Sequence, residues 1–115
     1  MENKDSTRYY SDEHEKSVIK ALGGRQTSNS GANKFEKGDV IIDKAYMLCE
    51  CKCSMSPKKS FSVKKEWFSK LREEAFRNRL HNTALCFNFE PNGDNYYIID
   101  EDLMQYFIDK LSEED

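Results

Sequence analysis

An aspartate, a glutamate and a lysine lie inside two apolar runs near the middle of this 115-residue chain. Asp39 begins the run Asp-Val-Ile-Ile, and Glu50 and Lys52 lie one residue apart in Met-Leu-Cys-Glu-Cys-Lys. Because side chains on a strand alternate between its two faces, Glu50 and Lys52 point to the same side. Charges on an apolar strand are costly to bury unless they are paired or ligated. A short hairpin would bring Asp39 beside them, which makes a site for a hard divalent cation and a phosphate.

These residues resemble the core motif of the PD-(D/E)xK nuclease superfamily, an Asp followed by Glu-x-Lys on the next strand. The matching pieces are Gly38-Asp39, with Gly in place of the usual Pro, and Glu50-Cys51-Lys52. The resemblance implies that Asp39 and Glu50 ligate Mg²⁺, for which Mn²⁺ can substitute. It also implies that the backbone carbonyl of Cys51 is a third ligand. Lys52 would contact the scissile phosphate or orient the attacking water.

A glutamate on the first predicted helix extends this resemblance. Glu15 precedes apolar residues at spacings of three, four and seven, so it lies at the end of the buried stripe of an amphipathic helix. Archaeal and phage Holliday junction resolvases, which are members of the superfamily, carry a first-helix Glu in a similar position. They also have a serine-containing loop before the Asp strand. The resemblance therefore implies an active-site role for Glu15 and a phosphate contact for Ser30.

The apolar patterns predict an α/β fold of mixed α+β type. After a flexible lead over residues 1–10, residues 11–115 are expected to form a single nuclease domain. The predicted order is α-β-β-β-α-β-β-α, which matches a restriction-endonuclease-like core, a central mixed sheet flanked by helices. The helices are predicted at 12–22 (capped by Ser11 and ended by Gly23-Gly24), at 62–80 (capped by Ser62) and from Asp100, and the strands at 25–27, 39–42, 46–53, 84–89 and 96–99.

The four cysteines favour packing over metal binding. Cys49, Cys51 and Cys53 alternate on one strand and share the face opposite Glu50. Zinc motifs space their cysteines by two or more residues and use a second pair, which this chain lacks. They are therefore expected to be small buried hydrophobes, with Cys86 on a neighbouring strand. A role without catalysis or base stacking is also favoured for the histidines and for two aromatic residues. His14 and His81 are expected to be surface histidines, and Trp67 and Phe68 are expected in the helix core or at an interface.

The charge distribution favours a DNA partner despite a net charge of −3. Residues 52–80 contain nine basic and three acidic residues, whereas the stretch from Asp100 to the end contains seven acids and one Lys. The basic section directly follows the Glu-x-Lys strand, so we expect it to face nucleic acid. The residues expected to contact DNA, besides Ser30, are Lys58, Lys59, Lys64 and Lys65.

The favoured hypothesis is a metal-dependent endodeoxyribonuclease that hydrolyses phosphodiester bonds in branched DNA, similar to Holliday junction resolvases. Such a small chain would act as a homodimer to cut two strands symmetrically. Without an apolar stretch of eighteen residues or a signal-peptide pattern, it is expected to avoid membranes and to lie in the cytoplasm, the host's if the protein is viral. Two alternatives stay open: another endonuclease of the superfamily (nicking, flap or restriction-like), and a silent DNA- or protein-binding module with this fold.

Overall fold

The protein has an α+β fold, a five-stranded mixed sheet flanked by helices. The structure is a computed structural model that describes residues 4–27 and 39–113. The predicted element order is confirmed. The elements are α1 (Lys4–Leu22), β1 (Arg25–Gln26), β2 (Asp39–Ile42), β3 (Met47–Lys52), α2 (Lys65–Arg77), β4 (Asn82–Phe87), β5 (Tyr96–Ile98) and α3 (Glu101–Ser112), with a 3₁₀ turn at Asp43–Ala45 between β2 and β3.

The strands lie in the sheet in the order in which they occur along the chain. The pairs β1–β2, β2–β3 and β4–β5 are antiparallel, and β3–β4 is parallel. A parallel pair needs a long crossover connection, and α2 provides it. In β2 and β3, Asp39 lies opposite Glu50 and Ile41 lies opposite Leu48.

Each face of the sheet is covered by one helix. Ile41 and Leu48 pack with Leu71 and Ala75 of α2. The intervening residues of the same strands point the other way, and this second face packs against Val18 of α1 together with the buried residues Val40, Ile42, Cys49, Ala84 and Cys86. This alternation places the two halves of the core on opposite sides of β2 and β3. We refer to the two sides as the α2 face and the α1 face.

The first helix begins earlier than predicted. Residues 4–10, which belong to the predicted lead over residues 1–10, are helical, and Ser11 lies inside the helix instead of capping it. No Pro or Gly interrupts residues 4–22, and the Tyr10 carbonyl accepts a hydrogen bond from Cys53 Sγ at 3.5 Å. The predicted end is confirmed: Gly23 has a φ of 73°, and its N–H donates to the Ile19 carbonyl.

The second helix begins later than predicted, at Lys65, and Ser62 does not cap it. The preceding segment is held by its own packing, because the Phe61 ring stacks on Phe87 with centroids 4.5 Å apart. Strand β4 lies two residues earlier than predicted, at Asn82–Phe87. The third helix matches its prediction, since Asp100 is its N-cap and accepts the Leu103 N–H at 2.9 Å.

Leu71 is the α2 residue whose loss should weaken the fold most clearly. It is buried against Ile41 and Leu48, whereas Phe76 on the same helix is 83% exposed. We expect Leu71→Ala to lower the free energy of unfolding by about 2–5 kcal/mol, because it leaves a cavity. The matched control Phe76→Ala should change it by about 0.5 kcal/mol or less. Urea unfolding measures both, and equal effects would contradict this packing of α2.

Candidate active site

The two motif carboxylates lie on adjacent strands of the α2 face. Asp39 is the first residue of β2, and its partner across the pair is Glu50 of β3. Side chains directly opposite each other in an antiparallel pair have their Cβ atoms about 5 Å apart. Asp39 is 1% exposed, whereas the Glu50 side chain is 15% exposed. The predicted hairpin is therefore present, and it brings both carboxylates to the same side of the sheet.

Lys52 lies two residues beyond Glu50 on that same face, as predicted. Its Nζ atom is 2.8 Å from Glu50 Oε2 and 4.3 Å from the centroid of the Trp67 ring. The ammonium group thus contacts a carboxylate on one side and an aromatic face on the other, and both contacts are attractive. Trp67 lies in the first turn of α2, so the helix that covers the core also holds the lysine.

The site lies on the α2 face at the edge of the part that α2 covers, next to solvent. Leu71 and Ala75 cover the apolar middle of the face, while the Lys52 side chain keeps 30% of its surface exposed. A phosphate could therefore reach the ammonium without displacing the core. Glu50 and Lys52 combine partial burial, which strengthens electrostatic interactions, with access from outside, whereas Asp39 beside them is buried.

Glu15 belongs to the helix that covers the opposite face. Its Oε1 atom accepts a hydrogen bond from Gln26 Nε2 at 3.0 Å, and the same nitrogen donates to Asp12 Oδ1 at 2.8 Å. Gln26 pairs with Val40, which places it on the α1 face. The structure thus brings together Asp39, Glu50 and Lys52, and it places Glu15 on the α1 side beside the edge strand. A role for Glu15 in the same active site stays a prediction.

The cysteines form a layer behind the candidate site. All four are free; Cys49 and Cys86 belong to the buried cluster and Cys51 packs against it, which confirms the packing prediction for these three, while Cys53 is half-buried. Cys51 lies between Glu50 and Lys52 in sequence, and its side chain faces α1 opposite its register partner Cys86. A role for its carbonyl as a metal ligand stays a prediction.

His14 joins this layer, so its prediction as a surface histidine is wrong. It is 3% exposed, because α1 turns it toward the sheet, and its Nε2 atom lies 3.4 Å from Cys86 Sγ. A hydrogen bond from Cys51, followed by the His14 imidazole, lowers the pKa of Cys86 to about 6. Hydrogen bonding with Cys49 and then Cys86, together with burial, raises the pKa of Cys51.

The predicted DNA-contacting lysines of the described residues are exposed, in the loop after β3 and at the start of α2. Lys58 and Lys59 lie in the loop after β3, and the Lys58 N–H donates to the Phe89 carbonyl at 2.8 Å. Lys64 and Lys65 lie at the start of α2, directly before the turn that carries Trp67. Ser30 lies outside the described residues.

Sequence reasoning missed two residues that contact the predicted ones. Trp67 was expected in the helix core because it lies four residues before Leu71, yet its ring also holds Lys52. The sequence indicates no role for Gln26 in its short strand, yet its side chain donates a hydrogen bond to Glu15. Neither partnership has a local signature, because both join residues that are distant in the chain.

No family model, curated protein or solved structure matches this chain. The resemblance to nucleases therefore depends on the motif residues and their arrangement. Within residues 4–27 and 39–113, no group of three or more His, Cys, Asp and Glu side chains could hold a metal ion. None of the helices in these ranges is long and apolar enough to span a bilayer.

The Glu50–Lys52 contact should be energetically coupled, because both side chains are mostly withdrawn from water. We expect Glu50→Gln and Lys52→Met each to destabilise the fold, since each leaves a partly buried charge without its partner. The double variant should lose less than the sum of the single losses, with a coupling of about 1 kcal/mol in urea unfolding. The exposed Glu73–Arg77 pair is the control and should show a smaller coupling. Additive losses at positions 50 and 52 would contradict the paired arrangement.

Proposed function

We propose that this protein is a metal-dependent endodeoxyribonuclease that hydrolyses phosphodiester bonds. The observation that carries the proposal is the arrangement of Asp39 opposite Glu50, with Lys52 Nζ 2.8 Å from the Glu50 carboxylate. An apolar sheet face gains little stability from a partly buried ion pair beside a second acid. Binding of a cation and a phosphate accounts for charged residues at these positions, whereas packing alone does not.

The donor atoms of this site fit Mg²⁺, with Mn²⁺ as its substitute. Asp39 and Glu50 offer hard carboxylate oxygens from adjacent strands, and the Cys51 carbonyl would be a third oxygen ligand. Mg²⁺ is commonly bound through one or two carboxylates and keeps several waters, so it does not require three acidic or thiol side chains. When bound, the ion supplies charge neutralisation at the phosphate and activation of water.

Lys52 would act on the phosphate side of the site. Its contacts with the Glu50 carboxylate and with the Trp67 ring limit its orientation. A phosphate oxygen could take the place of the Glu50 carboxylate in one hydrogen bond from Lys52. It would then contact a positively charged group that is already positioned. Such fixed charges stabilise a developing negative charge without reorganisation at the moment of reaction.

Branched DNA cut by a homodimer is the substrate and assembly we propose, on the resemblance to Holliday junction resolvases. The exposed lysines around the loop after β3 and the start of α2 support backbone recognition, which depends on charge and not on base sequence. A nicking, flap or restriction-like endonuclease would use the same residues. Comparing the cleavage of junction, flap, single-stranded and linear substrates separates these possibilities.

Cleavage of synthetic DNA tests the proposal directly. A labelled four-way junction and a matched linear duplex would be incubated with Mg²⁺ or with EDTA. We expect paired symmetric nicks in the junction that disappear with EDTA. Asp39→Asn and Lys52→Ala should slow cleavage by about 100-fold or more while DNA binding remains measurable. Asp43→Asn is the matched control, because Asp43 follows the same strand but is exposed and paired with Arg25.

The results of the cleavage experiment distinguish a junction-specific nuclease, a less specific nuclease and a module that only binds. Cleavage of junction and linear duplex at equal rates would retain a nuclease and reject junction specificity. Unchanged cleavage by both Asp39→Asn and Lys52→Ala would reject the site. Absence of cleavage with any metal would favour the binding-only module.

Metal binding should be measurable without any substrate. We expect Mn²⁺, followed by electron paramagnetic resonance, to bind the wild-type protein and the Asp43→Asn control. Asp39→Asn and Glu50→Gln should each weaken binding at least about tenfold, because each removes a charged oxygen ligand. Mg²⁺ should compete with Mn²⁺ for the same site. Equal affinity in all four proteins would place the ion elsewhere.

A further inference from the structure

A row of three side chains leads away from the candidate active site across the sheet. Lys52 of β3 is the register partner of Phe87 of β4, and Phe87 is the register partner of Tyr96 of β5. Register partners on neighbouring strands point to the same face, so all three lie on the α2 face. Adjacent strands are about 4.8 Å apart, which places Phe87 and Tyr96 roughly one and two strand spacings from the lysine.

Aromatic rings from outside the row join it to form a continuous group. Phe87 stacks on Tyr96 at 5.8 Å, and Phe61 lies 6.1 Å from Trp67, which in turn contacts Lys52. Phe89 meets Phe87 and Tyr96 edge-on. We call this group the aromatic strip, and its members are Phe61, Trp67, Phe87, Phe89 and Tyr96.

The aromatic strip lies between the buried core and the surface. The buried cluster under α2 consists of aliphatic residues, namely Ile41, Leu48, Leu71 and Ala75. Four of its rings are half-buried, and Tyr96 keeps 48% of its surface exposed. The exposed ring of Tyr96 is therefore the part of the strip that is suited to stacking on a flat ligand.

The charges around the strip favour an anionic ligand. Lys58 is anchored at Phe89 by its backbone, and Lys64 and Lys65 lie just before Trp67. Three exposed acids, Glu66, Glu90 and Asp94, lie near members of the strip in sequence, and with Lys59 the four exposed lysines outnumber them. Positive charges along a groove combined with aromatic faces are the arrangement by which proteins bind single-stranded nucleic acid.

We propose that the aromatic strip binds an unpaired nucleobase of the DNA strand whose phosphate occupies the site at Asp39, Glu50 and Lys52. This inference rests on the proposed nuclease function and narrows its substrate. Bases within a continuous duplex are stacked and paired, so they offer no open face to Tyr96. The strip would therefore select DNA with unpaired nucleotides beside the cleaved bond, as at a flap or a single-stranded end.

Binding of short single-stranded DNA in EDTA tests the strip without cleavage. Trp67 is the only tryptophan of the chain and belongs to the strip, so its fluorescence should be quenched when a base stacks there. We expect Tyr96→Ala to weaken single-strand binding about fivefold or more, with duplex binding unchanged. Tyr106→Ala is the matched control, because Tyr106 is similarly exposed but lies on α3.

Two conservative variants separate stacking from packing. Tyr96→Phe retains an aromatic face and should bind like wild type, whereas Tyr96→Leu retains apolar bulk and should bind like Tyr96→Ala. Circular dichroism would establish that each variant is folded. Wild-type affinity of Tyr96→Leu, or equal losses for single strands and duplex, would overturn the inference. Base binding without any cleavage would count against the proposed nuclease function and leave the aromatic strip supported.

Discussion

The register between β2 and β3 is the constraint on which the candidate site depends. Asp39 lies opposite Glu50 only in this register, and Lys52 then follows on the same face. A slip by one residue would turn Asp39 toward the cysteine layer and expose the aliphatic residues that α2 covers. The burial of Ile41 and Leu48 under Leu71 resists that slip. The same hydrophobic packing that stabilises the domain therefore also determines which charged side chains meet.

Because side chains alternate along a strand, the two faces of β3 have different environments. On the α1 face of β3, Cys49 and Cys51 are packed as small residues under α1, and on the α2 face Glu50 and Lys52 form an ion pair. The α2 face itself combines core packing at Leu48 with the proposed chemistry at Glu50 and Lys52, which lie further along the same side of β3.

Local patterns predicted the element order, the bounds of β2, the glycine stop of α1 and the aspartate cap of α3. Each of these has a cause within a few residues, such as the positive φ of Gly23 or the Asp100 carboxylate. The predictions that were wrong have distant causes. The Phe61–Phe87 contact holds the segment before α2, so the helix begins later than predicted, and packing against the sheet buries His14. For the site, alternation was enough to group Glu50 with Lys52, but the positions of Trp67 and Glu15 depend on tertiary packing.

Lys52 connects the three parts of the α2 face that have different chemistry. Its ammonium contacts the Glu50 carboxylate, its position over Trp67 ties it to the start of α2, and its register partner is Phe87. A ligand that engages the ammonium must alter the Glu50 contact, the Trp67 contact or both. Because Glu50 would also ligate the metal, phosphate binding at Lys52 would free carboxylate oxygen for the ion. Metal binding and phosphate binding should therefore favour each other at this site through one shared side chain.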